Sequence, residues 1–231
     1  MGAKKGKQSV CFENKVYIRA SAAIVGRKEG EGPLKSYFDQ VVEDPFFDVK
    51  TWEAAESKFM LEASALAIEK AGVEEGDIRF AFAGDLLGQL IASSFSMKDL
   101  KVPYVGLYGA CSNIGLALAL GSMAVSGGFA SNVLCAASSH FGSAEKQFRY
   151  PLEYGNQRPQ SASYTVTGCG AFVLSEKQAE NSPGILVKGA AFGQIVDYEV
   201  KDAQNMGAAM APAAAETLLS HFKDTGRGPD F

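Results

Sequence analysis

The residue type and spacing most able to do chemistry centre on one cysteine. Cys111 lies in Tyr108-Gly109-Ala110-Cys111-Ser112, after an apolar segment of strand character (Val102 to Leu107) and before a small-residue helical run (Asn113 to Gly121). A thiol at a strand-to-helix turn meets free backbone N–H groups and the positive end of the helix dipole, which favour the thiolate. A protein makes a sulfur nucleophile near neutral pH in this way. The competing reading is a small buried thiol used for packing, as free cysteines usually are.

Other side chains bear on the same question. His140, in Ser138-Ser139-His140 after a strand, is placed either to face the Cys111 pocket as a base or carboxylate partner, or to be a hydrogen-bonded loop histidine. Asp85 ends the strand Ala83-Gly84-Asp85, where open α/β sheets present ligand-facing groups. Capping a helix from Leu86 onward is the simpler role for it. Arg149 carries a planar fork suited to gripping a carboxylate, among Lys146, Phe148, Tyr150, Tyr154, Arg158 and Tyr164. A solvated loop stapled down by its aromatics accounts for the same residues equally well. His221 reads as an ordinary residue near a helix C-terminus, where an imidazolium suits the dipole.

No metal centre is expected. Cys11, Cys111, Cys135 and Cys169 are widely separated, in neither a zinc pattern nor a secreted disulfide framework. Asp39, Glu43, Asp44 and Asp48 do not have calcium-loop spacing. Gly168 and Gly170 are not followed by the helix a phosphate loop requires.

The elements that must position these groups follow from periodicity. Val16 to Val25 reads as a strand, broken into a loop by Gly26, Gly30 and Gly32. Trp52, Ala55, Phe59, Ala63, Leu66 and Ile68 form the apolar stripe of a helix from Trp52 to Ala71, ended by Gly72. Strands are expected at Phe80 to Ala83, Val102 to Leu107, Asn132 to Ala137, Gly168 to Ser175 and Gly184 to Val196, with helices at Leu86 to Ser96, after Cys111, and at Ala214 to Phe222. The helix after Cys111 is apolar all round and predicts a central position packed on every side. Residues from Ser138 to Thr165 read as a long, functional loop. Alternation of short apolar strands with helices predicts an α/β protein whose sheet is covered on both faces.

Composition sets the remaining bounds. The 231 residues are 47% hydrophobic and 21% charged, enough to build a sizeable core, and the formal charge of -4 gives no basis for nucleic-acid binding. Lys4, Lys5 and Lys7 are not followed by an apolar signal core, and the apolar stretch around Ile114 to Val125 is too short to span a bilayer. An intracellular protein without a transmembrane segment or signal peptide is expected.

These motifs, in this order, resemble the thiolase superfamily, in its ketoacyl-synthase III branch, and more closely the stage V sporulation protein AD family of spore-forming bacteria. The resemblance is carried by Phe12-Glu13-Asn14, Lys28 to Leu34, Ala83-Gly84-Asp85-Leu86-Leu87, Tyr108-Gly109-Ala110-Cys111-Ser112, Ser138-Ser139-His140, Gln147-Phe148-Arg149-Tyr150-Pro151, Thr165-Val166-Thr167-Gly168 and Met206 to Ala215. It implies a thiolase-like fold of two related halves in a layered α/β/α sandwich, with a first half over 10–178 and the beginning of the second over 184–231. It puts Cys111 at the nucleophile position, whereas the assisting His and Asn (or second Cys) come from parts of the second half that lie beyond these residues. A half sheet then leaves an open edge and exposed apolar surface.

The resemblance further implies a non-catalytic protein that binds dipicolinic acid and takes part in calcium-dipicolinate uptake into the developing spore. The implied contacts are Cys111, His140, Arg149, Tyr150, Asp85 and Thr167, with no resident cofactor. The implied setting is a homodimer inside the forespore, peripheral to the inner spore membrane, beside other proteins of one transport assembly. The alternative is an acyltransferase of the ketoacyl-synthase III type acting on coenzyme A thioesters through Cys111.

Overall fold

The computed structural model describes residues 2–87, 89–148, 164–179, 184–202 and 205–229. In chain order the strands are β1 (Ala3–Lys5), β2 (Ser9–Cys11), β3 (Tyr17–Gly26), β4 (Gln40–Val42), β5 (Phe80–Asp85), β6 (Tyr104–Gly106), β7 (Asn132–Ser139), β8 (Gly168–Ser175), β9 (Ile185–Leu186) and β10 (Gly189–Ala191). The helices are α1 (Arg27–Gly30), α2 (Trp52–Ala71), α3 (Ile91–Leu100), α4 (Asn113–Ser126), α5 (Phe141–Phe148) and α6 (Met206–Thr225).

Seven strands form one mixed sheet in the order β4-β3-β8-β7-β5-β6, with β9 pairing β3. β5 runs parallel to both β6 and β7, as helical crossovers require, while β8 lies antiparallel between β7 and β3. A second, three-stranded sheet has the order β1-β2-β10.

One face of the large sheet is closed by α2 and α3. Thr51 caps α2 by accepting a hydrogen bond from the Ala54 N–H at 3.2 Å, and Gly72 ends it at φ 62°. Ala55, Phe59, Met60, Ala63, Ala67 and Ile68 bury its inner face against Ile24, Leu134, Ala136, Ala171 and Val173 of the sheet. A fully buried side chain of Phe or Met size stabilises the fold by about 1.5–3 kcal/mol.

α4 closes the opposite face, and here the expected packing on every side is corrected. Ala117, Gly121 and Val125 press on the sheet, with the Cys135 thiol 3.2 Å from the Ala117 carbonyl. Gly115 and Met123 are exposed, and Ile114, Leu116, Leu118 and Leu120 are only half-buried. Among the described residues, the helix also meets the short strand β10.

Three more expectations are revised. The helix after Asp85 begins at Ile91, not Leu86, because Leu86 and Leu87 form a turn and Leu90 is left-handed at φ 60°. The stretch from Ser138 does not open as a loop: β7 runs to Ser139 and α5 follows at once. The strand expected over Gly184 to Val196 is split, since β9 pairs with the large sheet and β10 with the small one.

Candidate functional site

The Cys111 region is built from two rows of small residues and one turn. Side chains alternate across a strand, so neighbours in register share a face. Gly170 pairs with Ala23 on one side and Ala137 on the other; two residues away, Gly168 pairs with Val25 and Ser139. These rows form the floor of an open cleft of about 340 Å³, with Phe38, Leu86 and Val166 on its walls and Ala110, Cys111 and Ile114 over it. The Cys111 thiol is exposed.

Gly168 is required by geometry. Its φ is +148°, and a Cβ there would stand 2.6 Å from the Ile24 carbonyl oxygen. Gly170 differs: a Cβ there meets nothing within 4 Å among the described residues. Gly168 thus serves close backbone approach, whereas Gly170 leaves bare backbone facing the cleft.

The turn bearing Cys111 is closed by hydrogen bonds. Ser112 donates to the Gly109 carbonyl through its N–H (2.9 Å) and its Oγ (2.7 Å). Asn113, 1% exposed, accepts from the Gly109 N–H at 2.8 Å and donates to the Asp85 carbonyl at 2.9 Å. Ala110 is left-handed at φ 45°.

The structure separates the other sequence-predicted residues from this cleft. His140 is fully buried, beside Trp52 and Phe141 at ring-centroid distances of 5.2 and 5.0 Å. Its Nδ1 accepts from the Gly142 N–H at 3.0 Å, so the proton is on Nε2, which donates to the Pro45 carbonyl at 2.8 Å. Burial pushes its pKa down, in favour of the neutral ring. Both ring nitrogens are committed to backbone; placing His140 in the Cys111 pocket is corrected to a buried, hydrogen-bonded histidine. The Pro45 carbonyl comes from a loop held by Asp44, whose carboxylate accepts the Phe46 and Asp48 N–H groups.

Asp85 is 2% exposed and turned away from the cleft. Its carboxylate accepts from the Ser93 N–H at 3.3 Å and the Ser93 Oγ at 3.0 Å, which caps the first turn of α3. The capping role stands, for a helix that starts five residues further along than the sequence suggested. Thr167 is a strap: its Oγ accepts from the Phe141 N–H, its N–H donates to Glu29, and its carbonyl accepts from the Gly26 N–H. Its neighbours Val166 and Gly168, rather than Thr167, line the cleft. Arg149 and Tyr150 lie outside the described residues.

Two residues escaped sequence reasoning. Glu56, on the buried face of α2, is 2% exposed and accepts from Ser138 Oγ at 3.0 Å and Ser143 Oγ at 2.8 Å. Desolvation pushes its pKa up to about 7, with Asp85 and Glu53 adding to the rise and the two serines opposing it. The signal was its place one residue after Ala55 and three before Phe59, inside the apolar stripe. The second is Lys28, whose ammonium stands 3.9 Å from the Tyr164 ring centroid, two residues before the cleft wall at Val166. Among the described residues no three His, Cys, Asp or Glu side chains converge as a metal site, and no helix is long and apolar enough to cross a membrane.

Comparison with known proteins places this geometry. The family model for stage V sporulation protein AD matches residues 6–231. Stage V sporulation protein AD of Bacillus subtilis (strain 168) is 42% identical over 226 residues, covering 97% of this chain. The chain spans 65% of that relative's length. Two solved structures share the fold at 16% identity. 3-oxoacyl-(acyl carrier protein) synthase III (FabH) of Xanthomonas oryzae pv. oryzae has a TM-score of 0.60 over 95% of this chain and 76% of its own. Cerulenin-bound OleA of Xanthomonas campestris has a TM-score of 0.63 over 95% and 73% respectively. The fold is thus the mixed α/β, thiolase-like one.

Proposed function

Because the chain belongs to the stage V sporulation protein AD family of sporulation proteins, we propose that it binds dipicolinic acid in the Cys111 cleft. In this reading it is a non-catalytic component of calcium-dipicolinate uptake into the developing spore. It works inside the forespore, at the periphery of the inner spore membrane, as a homodimer among the other proteins of one transport assembly.

The cleft is the observation that carries the reading. Dipicolinate is a flat pyridine with two carboxylates, and it needs a flat apolar surface and donors at the edge. The rows Ala23-Gly170-Ala137 and Val25-Gly168-Ser139 offer a floor nearly free of side-chain bulk. The volume of about 340 Å³ suits a small ligand. The start of α4 directs its free N–H groups and positive dipole end toward the Cys111 edge, where a carboxylate gains from them. Arg149 and Lys28 are the cations assigned to the carboxylates, and Tyr150 is assigned to the ring.

The test is equilibrium binding of dipicolinate to the chain and to its Cys111→Ala, Lys28→Ala and Arg149→Ala variants. Loss of a charged hydrogen bond from either cation variant should weaken binding about tenfold or more. Unchanged affinity in all three variants would remove the assignment to this cleft.

The exposed Cys111 thiol favours a second reading, acyl transfer from a coenzyme A thioester. Mass spectrometry after incubation with acyl-coenzyme A decides it. An acyl adduct on Cys111 supports transfer; no adduct where iodoacetamide labels the same thiol excludes it.

A further inference from the structure

We propose that Asn113 is the positioning residue of the Cys111 site, holding the thiol over the cleft by locking the turn that bears it. This rests on the assignment of that cleft as the binding site and adds the residue that builds it.

Ala110, immediately before Cys111, is left-handed at φ 45°. A residue with a Cβ sits there only when its surroundings over-determine it. The surroundings are the Asn113 amide. Its Oδ1 takes the Gly109 N–H at 2.8 Å, closing a ring from Gly109 to Asn113 with Ala110, Cys111 and Ser112 inside it. Its Nδ2 reaches across to the Asp85 carbonyl at 2.9 Å, fastening that ring to the end of β5. One partner is a pure donor and the other a pure acceptor, so the amide has a single orientation.

Gly84 records the same contact from the other side. A Cβ on it would stand 2.6 Å from Asn113 Nδ2 and 2.3 Å from the Leu107 carbonyl oxygen. The strand end is bare so that the amide can press against it. The side chain is 1% exposed while Cys111 is exposed, so the brace lies beneath the thiol and touches no ligand in the cleft. A buried amide with two backbone partners cannot be lost cheaply, because both are left unsatisfied.

The experiment is the rate of Cys111 alkylation by iodoacetamide from pH 6 to 9.5 on the full chain, read by peptide mass spectrometry, with Cys11 as internal reference. Asn113→Ala should change the Cys111 rate by about fivefold or more, the equivalent of one hydrogen bond, while Cys11 stays within about twofold. Adding Ala110→Gly, which abolishes the left-handed cost, should bring the rate back toward the parent value. Asn113→Asp keeps the acceptor for Gly109 but sets a carboxylate against the Asp85 carbonyl; as a second variant should the alanine form not fold, it should move the Cys111 pH profile upward. An unchanged Cys111 rate and profile in a folded variant, or equal changes at Cys111 and Cys11, overturns the proposal. The assay contains no dipicolinate, so its failure leaves the binding assignment to its own test.

Discussion

Two helices of this chain have twenty residues each and nearly the same local signals, yet they live in different physical circumstances. α2 is capped by Thr51 and ended by left-handed Gly72; α6 is capped by Asn205 and ended by left-handed Gly226. α2 buries nine residues, whereas α6 buries none. Met206, Met210, Leu218 and Leu219 of α6 are exposed, as is Ile195 before it. Caps and propensity mark where a helix starts and stops; the sheet beneath it sets what the helix contributes to stability.

The contrast can be broken most strongly at its core. Phe59→Ala should cost about 3–5 kcal/mol in urea unfolding, because it opens a cavity between α2 and the sheet. Leu218→Ala, on the exposed face of α6, should stay within about 0.5 kcal/mol. Comparable losses at the two positions would show that α6 is buried in solution.

Glu56 sharpens the comparison next, since α2 buries a carboxyl. Below its ordinary value of 4.5 folded and unfolded chains both hold the proton, and stability is independent of it. From there to about 7 the folded chain keeps a proton that the unfolded chain has released, so stability falls as pH rises. At about 1.4 kcal/mol per pH unit the loss is about 3 kcal/mol, complete above pH 7. Urea unfolding at pH 5, 6, 7 and 8 should show this slope, and Glu56→Gln should flatten it. An equal slope in the variant would assign the effect to other groups.

The smallest effect concerns the caps. Thr51→Ala and Asn205→Ala each remove one accepted N–H, worth about 1 kcal/mol. The first should lower global stability by that amount. The second should appear mainly as faster amide exchange within α6, because that helix buries no residue.

What the sequence made legible follows the same division. Helix α2, the strands of apolar runs and the turn at Cys111 were readable because their signals are local. The position of His140 was not, since it is set by Pro45, ninety-five residues away. Glu56 was passed over because an apolar-stripe reading looks for hydrophobic residues and has no place for a protonatable one. Asp85 caps the helix the sequence assigns to it, but that helix starts at Ile91 rather than Leu86, and the carboxylate reaches Ser93 across the gap. The open face of Gly170 depends on what lies opposite the strand, which no spacing within the motif records.

The three-stranded sheet adds a matter of timing. β2 is made well before its partner β10, which begins 178 residues later, at Gly189. At about 5–20 residues per second the ribosome takes roughly 10–35 s to cover that distance. For that interval one edge of β2 is unpaired and open to pairing with another strand. The three-stranded sheet is therefore completed only once Gly189–Ala191 have been made.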